Sequence, residues 1–221
     1  MKFPIDLCNS DIANELNKNK DQIETWMLPH VKDLIIPKYA IQECIKSLAR
    51  EIHKKYKRSN KILVLICILK GANRFTNDIT NCLNILNNGD DYLEYQVEFI
   101  RIKSRINTDI SKNVEIISLL DENNLKEKNL LIIEDIIDSG TSLMHSKNYL
   151  DNLNIPFEVV TLVSKVEDPN LLKLNNVTYY GFAVPKDAFI VGYGLDYNQK
   201  FRNLDNIVTL TEKSINEFKK K

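Results

Sequence analysis

The sequence predicts an α/β domain with a mainly parallel central sheet flanked by helices. Two observations predict it. Apolar runs of strand length, "ILVLICIL" (62–69) and "NLLIIED" (129–135), are continuous rather than alternating, as strands buried on both faces require. Around them lie stretches of helical period, and strands that alternate with helices pair in parallel. With 221 residues, 43% hydrophobic and 27% charged, the chain suits one large domain better than two small ones.

Residues 1–30 carry no placeable motif, so the domain is expected over 31–221. Residues 38–56 set Ile41, Cys44, Ile45, Leu48 and Ile52 on one stripe, an amphipathic helix entered at Pro37. After the strand 62–69, "KGANRFTNDITNCLNIL" (70–86) reads as a turn and a helix. "YQVEFIRIK" (95–103) favours β-branched and aromatic residues and reads as a strand. The polar "SRINTDISKN" (104–113) has no period and reads as a long surface loop of the kind that serves as a lid. Strands are expected at "VEIISLL" (114–120) and "NLLIIED", then a helix over 141–153. Four more strands follow: "FEVVTLV" (157–163), "VTYYGFAV" (177–184), "FIVGYG" (189–194) and "NIVTLT" (206–211).

Lys plus Arg and Asp plus Glu both number 30, so no net field recruits nucleic acid or an anionic membrane. Cys8, Cys44, Cys67 and Cys82 form no CxxC and read as small buried hydrophobes in a reducing compartment. "MKFPIDLCNSDIANELN" lacks the apolar core of a secretory signal, and 62–69 is too short to span a bilayer. A cytosolic protein is expected. His30, His53 and His145 show no metal-ligand spacing.

The chemistry concentrates in "IIEDIIDSGTS" (132–142). Glu134 and Asp135 are expected at the solvent rim, where the strand leaves the sheet and ligands of parallel sheets bind. Adjacent carboxylates there can accept from paired sugar hydroxyls or hold a hydrated Mg²⁺. Ser139, Gly140, Thr141 and Ser142, opening a helix, offer hydroxyls and N–H groups to a phosphate. The plainer alternative is a strand–turn–helix junction capped by Asp138 or Ser139. A Walker loop is excluded because the Lys and second Gly are lacking, and "GYGLDY" (192–197) lacks the third Gly of a dinucleotide fingerprint.

"IIEDIIDSGTS" resembles the phosphoribosyl diphosphate motif of the purine phosphoribosyltransferases, specifically their hypoxanthine-guanine branch. Four more segments match that family in order: "ILKGANRF" (68–75), "VEFIRIKS" (97–104), "LVSK" (162–165) and "FIVGYGLDYNQKFRNL" (189–204). The similarity spans about 30–213. It implies the type I phosphoribosyltransferase fold, with a small hood from terminal segments and a mobile lid. The implied reaction is transfer of 5-phosphoribosyl from phosphoribosyl diphosphate to a 6-oxopurine with Mg²⁺, in a homodimer or homotetramer.

By resemblance, Asp138 exchanges a proton at N7 of the purine, and Ser139 to Ser142 hold the 5-phosphate. Glu134 and Asp135 meet the ribose hydroxyls and the metal's water shell. Leu69, Lys70 and Gly71, with a cis peptide between the first two, bind pyrophosphate together with Ser104, Arg105 and Arg202. Lys165 donates to the 6-oxygen, Phe189 stacks on the ring, the Ile190 backbone reads the neighbouring edge, and Asp196 meets base and Mg²⁺. Taken singly, Lys165 reads as a surface lysine, Phe189 as core, Lys70 as a strand end, and Asp196 with Arg202 as a surface ion pair. Two departures stand out. Ser104-Arg105 replaces the family's Ser-Tyr at the lid, and "PKDAF" (185–189) is one residue longer than "PDKF". The alternative function is a protein of this fold that binds nucleotide as a regulator without turnover.

Overall fold

Strand β3 (Leu63–Leu69) sits near the centre of the computed structural model, and its side chains enter two different cores. The structure describes residues 3–17, 23–89, 91–104, 114–118, 125–138, 147–148, 151, 154–166 and 168–219. Leu63, Leu65 and Cys67 pack with Ile41, Cys44, Ile45, Leu48 and Ile52 of α2 (Lys38–Tyr56) and with Phe75, Ile79 and Leu83 of α3 (Asn73–Leu86). Val64, Ile66 and Ile68 pack with Leu125, Ile155 and Leu172 on the opposite face. Period-two alternation into two cores explains why the run is apolar at every position.

The main sheet has seven strands in the order β1-β8-β7-β6-β3-β4-β5. Their ranges are β1 Ile5–Asp6, β4 Tyr95–Ser104, β5 Val114–Ser118, β6 Asn129–Ile137, β7 Phe157–Ser164 and β8 Val177–Ala183. All neighbours pair in parallel except β4 and β5, which are antiparallel. The register pairs Ser104 with Val114, and the nine residues between them are fewer than the crossover that parallel pairing needs. That link, which holds Arg105 and the expected lid, lies outside the described residues. So does most of the helix expected over 141–153.

A smaller antiparallel sheet, in the order β2-β10-β9, uses β2 Val31–Ile36, β9 Ile190–Val191 and β10 Ile207–Leu210. Its core holds Met27, Leu34, Val191, Phe201, Leu204, Val208 and Leu210. The remaining helices are α1 (Ser10–Asn17), α4 (Pro169–Leu174), with Asp168 accepting from Asn170 N at its start, and α5 (Glu212–Glu217), capped by Thr211.

Three expectations need correction. "FIVGYG" is a strand only at Ile190–Val191, because the chain turns at Gly192 with φ +103°. β6 runs two residues past "NLLIIED", to Ile137. Cys8 is exposed, although Cys44 and Cys67 are buried as expected. Residues before 31 add β1 to the edge of the main sheet, burying Ile5 and Leu7.

Candidate active site

Three neighbouring parallel strands end side by side, and each end is followed by a polar residue. β3 leads to Lys70, β6 to Asp138 and β7 to Lys165. The Leu69–Lys70 peptide is cis, as the resemblance implies. Lys165 is 8% exposed, so it is no surface lysine, and its Nζ lies 3.1 Å from Asp138 Oδ2. Asp138 itself is exposed at the mouth. Ser139, Gly140, Thr141 and Ser142 lie outside the described residues.

Glu134 departs from the expected solvent rim. Because β6 is longer than its apolar run, Glu134 is still a ladder position opposite Thr161, and it is 5% exposed. Its Oε2 is buried with no hydrogen-bond partner among the described residues. Burial, then the adjacent Asp135 charge, pushes its carboxyl well above the usual range. Asp135 is half-buried and accepts from Ile136 N at 3.0 Å. Desolvation pushes it up to about 6, and the Arg202 charge works against that shift.

The glycines show how closely three segments meet here. A Cβ on Gly71 would overlap the Asp135 carboxylate, and a Cβ on Gly194, at φ +101°, would overlap the Gly71 carbonyl. Side chains at either position would push the β3–α3 turn away from β6 or from the C-terminal loop. In that loop, Arg202 Nη1 donates to Gly194 O at 2.6 Å and Nη2 lies 2.5 Å from Asp196 Oδ1. Asp196 and Arg202 thus form an ion pair inside the cleft loop rather than on open surface; Arg202 Nε is buried without a described partner.

Phe189 is 48% exposed rather than core, and its ring lies perpendicular to that of Tyr197 with centroids 5.4 Å apart. Ile190 is buried and paired with Thr209 of β10. Among the described residues no group of three His, Cys, Asp or Glu side chains forms a metal cage. The unpartnered Glu134 oxygen and the carboxylates of Asp135 and Asp196 are hard donors nonetheless. They fit a Mg²⁺ ion that keeps most of its water and takes its other ligands from a phosphorylated substrate.

A cation, two groups of carboxylates and close backbone turns at parallel strand ends suit a sugar diphosphate. The profile described as "Phosphoribosyl transferase domain" matches residues 38–198. This chain belongs to the phosphoribosyltransferase family. The hypoxanthine-guanine phosphoribosyltransferase of Cricetulus griseus is 33% identical over 188 residues, covering 83% of this chain and 84% of its own. That of Homo sapiens is 32% identical over 180 residues, covering 81% of each. A crystal structure of a hypoxanthine phosphoribosyltransferase from Staphylococcus aureus superposes with a TM-score of 0.69 at 30% identity, covering 86% of this chain and 97% of that one. The purine branch is therefore the one this phosphoribosyltransferase resembles.

The phosphoribosyltransferase motifs missed the residues that fasten these segments together. Arg74, in the first turn of α3, donates to Leu204 O at 2.6 Å, pairs with Asp205, and lies over the Tyr193 ring at 4.6 Å. The Tyr193 hydroxyl donates to Asp78, also on α3. Lys70 Nζ donates to Gln199 Oε1 at 3.2 Å. Such partners are far apart in sequence, and no local pattern signals them. His30 and His53 are structural, meeting Ser214 Oγ at 2.9 Å and Asp91 O at 3.1 Å.

Proposed function

We propose that this phosphoribosyltransferase transfers the 5-phosphoribosyl group of phosphoribosyl diphosphate to a 6-oxopurine, releasing pyrophosphate. The observation that carries this reading is the Lys165–Asp138 pair, with Nζ and Oδ2 at 3.1 Å. N7 and O6 are neighbours on one edge of a 6-oxopurine. A donor and an acceptor that touch each other at two strand ends match that edge: ammonium to O6, carboxylate to the proton on N7. A 6-aminopurine would present donors to Lys165, which has no acceptor.

In this reaction the bond from the anomeric carbon to the diphosphate oxygen breaks and a bond to N9 forms. The base proton at N7 passes to Asp138. Positive charge grows on the ribose as the diphosphate departs, so Glu134 and Asp135 support the sugar while Lys70 and Arg202 support the leaving group. Bound Mg²⁺ would neutralise diphosphate charge, with Asp135, Asp196 and Glu134 as the nearby donors. Phe189, half exposed, would stack on the purine ring. The reading places the enzyme in purine salvage, in the cytoplasm, as a homo-oligomer.

Pyrophosphate release should be measured with hypoxanthine, guanine, xanthine and adenine. Turnover with at least one of the first three and none with adenine is expected. Release with adenine alone would overturn the assignment. Nucleotide binding with no release from any base would instead favour a regulator of this fold.

A further inference from the structure

A tight turn next to Asp196 holds residues in backbone conformations that side chains seldom adopt. Tyr197 and Lys200 bridge each other, with N–H to O distances of 3.2 and 3.0 Å. Between them Asn198 and Gln199 have φ of +50° and +67°. This is the hairpin turn in which both central residues are left-handed and the second is ordinarily glycine. Asn tolerates the conformation; Gln does not gain from it. A non-glycine residue held there calls for a function or a brace.

Both are present. Gln199 N donates to Asp196 Oδ2 at 2.7 Å, and its side-chain Oε1 accepts from Lys70 Nζ at 3.2 Å. One residue thereby joins the carboxylate proposed to face the metal to the lysine of the pyrophosphate loop. The brace is the chain beyond β10. Tyr197 Oη donates to Ile215 O at 3.1 Å and Asn198 Nδ2 to Phe218 O at 2.8 Å. Lys200 Nζ lies over the Phe218 ring at 4.8 Å, and Phe201, at φ +72°, meets the same ring at 5.3 Å. Four of the five residues 197–201 are fastened to Ile215 or Phe218, and the fifth, Gln199, faces the site.

We propose that Gln199 is a positioning residue for the diphosphate, setting Lys70 and Asp196 at a fixed separation before substrate arrives, and that Phe218 keeps it there. The proposal rests on the phosphoribosyl transfer reading. A purely structural turn would do better with glycine; the amide is worth its awkward backbone only if Lys70 must be aimed.

The test compares Gln199→Gly with Phe218→Ala in the full chain. Gln199→Gly relieves the turn, so its melting temperature should equal or exceed that of the wild type, while KM for phosphoribosyl diphosphate rises by about three- to tenfold as an exposed bond to a charged group is lost. KM for the purine should stay within about twofold. Phe218→Ala should raise the same KM but lower the melting temperature. One kinetic direction with opposite stability directions is not what a merely structural role produces. Calorimetric titration with inorganic pyrophosphate gives a second readout independent of turnover, and Gln199→Gly should bind it more weakly. If the wild type releases no pyrophosphate from any base, the functional reading fails and the titration alone decides the role of Gln199. Unchanged KM for phosphoribosyl diphosphate in an active enzyme, equal rises for both substrates, or unchanged pyrophosphate affinity in Gln199→Gly would overturn the proposal.

Discussion

Asp135 shows how burial at the end of β6 sets the behaviour of a single residue. Its carboxyl lies at about 6 in the folded protein against an ordinary 3.8, with desolvation the largest cause. A carboxyl raised on folding binds its proton more tightly in the native state, so the native state loses stability as pH rises through that window. Glu43, Asp91, Glu158 and Asp205 are held below their ordinary values and act in the opposite sense. They are common to wild type and variant, so they cancel in a comparison. Asp135→Asn should therefore gain melting temperature relative to wild type as pH is raised from about 4 to 7. A difference that does not change with pH would mean that the carboxyl is well solvated. Asp138 is a sharper kinetic test. Asp138→Asn should keep the melting temperature and slow turnover by roughly 100-fold, because an amide cannot take the purine proton. Wild-type turnover in this variant would remove Asp138 from the proton path.

At the level of elements, the decisive contact is between two turns. Gly194 lies against the Gly71 carbonyl with φ +101°, so Gly194→Ala meets both a backbone penalty and a clash. A loss of about 1–3 kcal/mol in stability is expected, together with a higher KM for phosphoribosyl diphosphate, since both turns border Asp135. If thermal melting and kinetics are unaltered, the two loops are not in contact in solution. The sequence made α2 and β3 legible because their apolar positions repeat at 3.6 residues or fill every position, and burial on one or two faces produces those patterns. It made the strand-end lysines legible only through the family resemblance, since Lys70 and Lys165 taken singly read as a strand end and a surface lysine, and nothing local to either signals a site. It misplaced Glu134 because a carboxylate reads as a strand end, whereas here the ladder continues past it. "FIVGYG" read as a strand because Phe189, Ile190 and Val191 outweigh two glycines that in fact turn the chain. Arg74 with Asp205, and Gln199 with Lys70, were invisible because nothing local distinguishes a residue whose partner arrives from a distant segment.

For the whole molecule, the ends of the chain matter more than their lack of motifs suggests. β1 closes one edge of the main sheet, Ile5 and Leu7 are buried, and Phe3 meets Phe182 edge-on at 5.7 Å. Deleting residues 1–8 should lower the melting temperature by several degrees, because each buried aliphatic side chain contributes on the order of 2 kcal/mol. An unchanged melting curve would show that β1 is dispensable. The smaller sheet makes the same point about time rather than stability. β2, near the beginning, has β10, near the end, as its ladder partner, and the brace on the Asp196 loop lies later still, at Ile215 and Phe218. A ribosome making this chain would release most of the parallel sheet before the segment that shapes the cleft exists. Nascent chains stopped near residue 200 should already resist protease across β3 and β6 yet bind no pyrophosphate. Refolding should likewise lag behind that of helical proteins of similar size, because β2 and β10, from opposite ends of the polypeptide, must find each other.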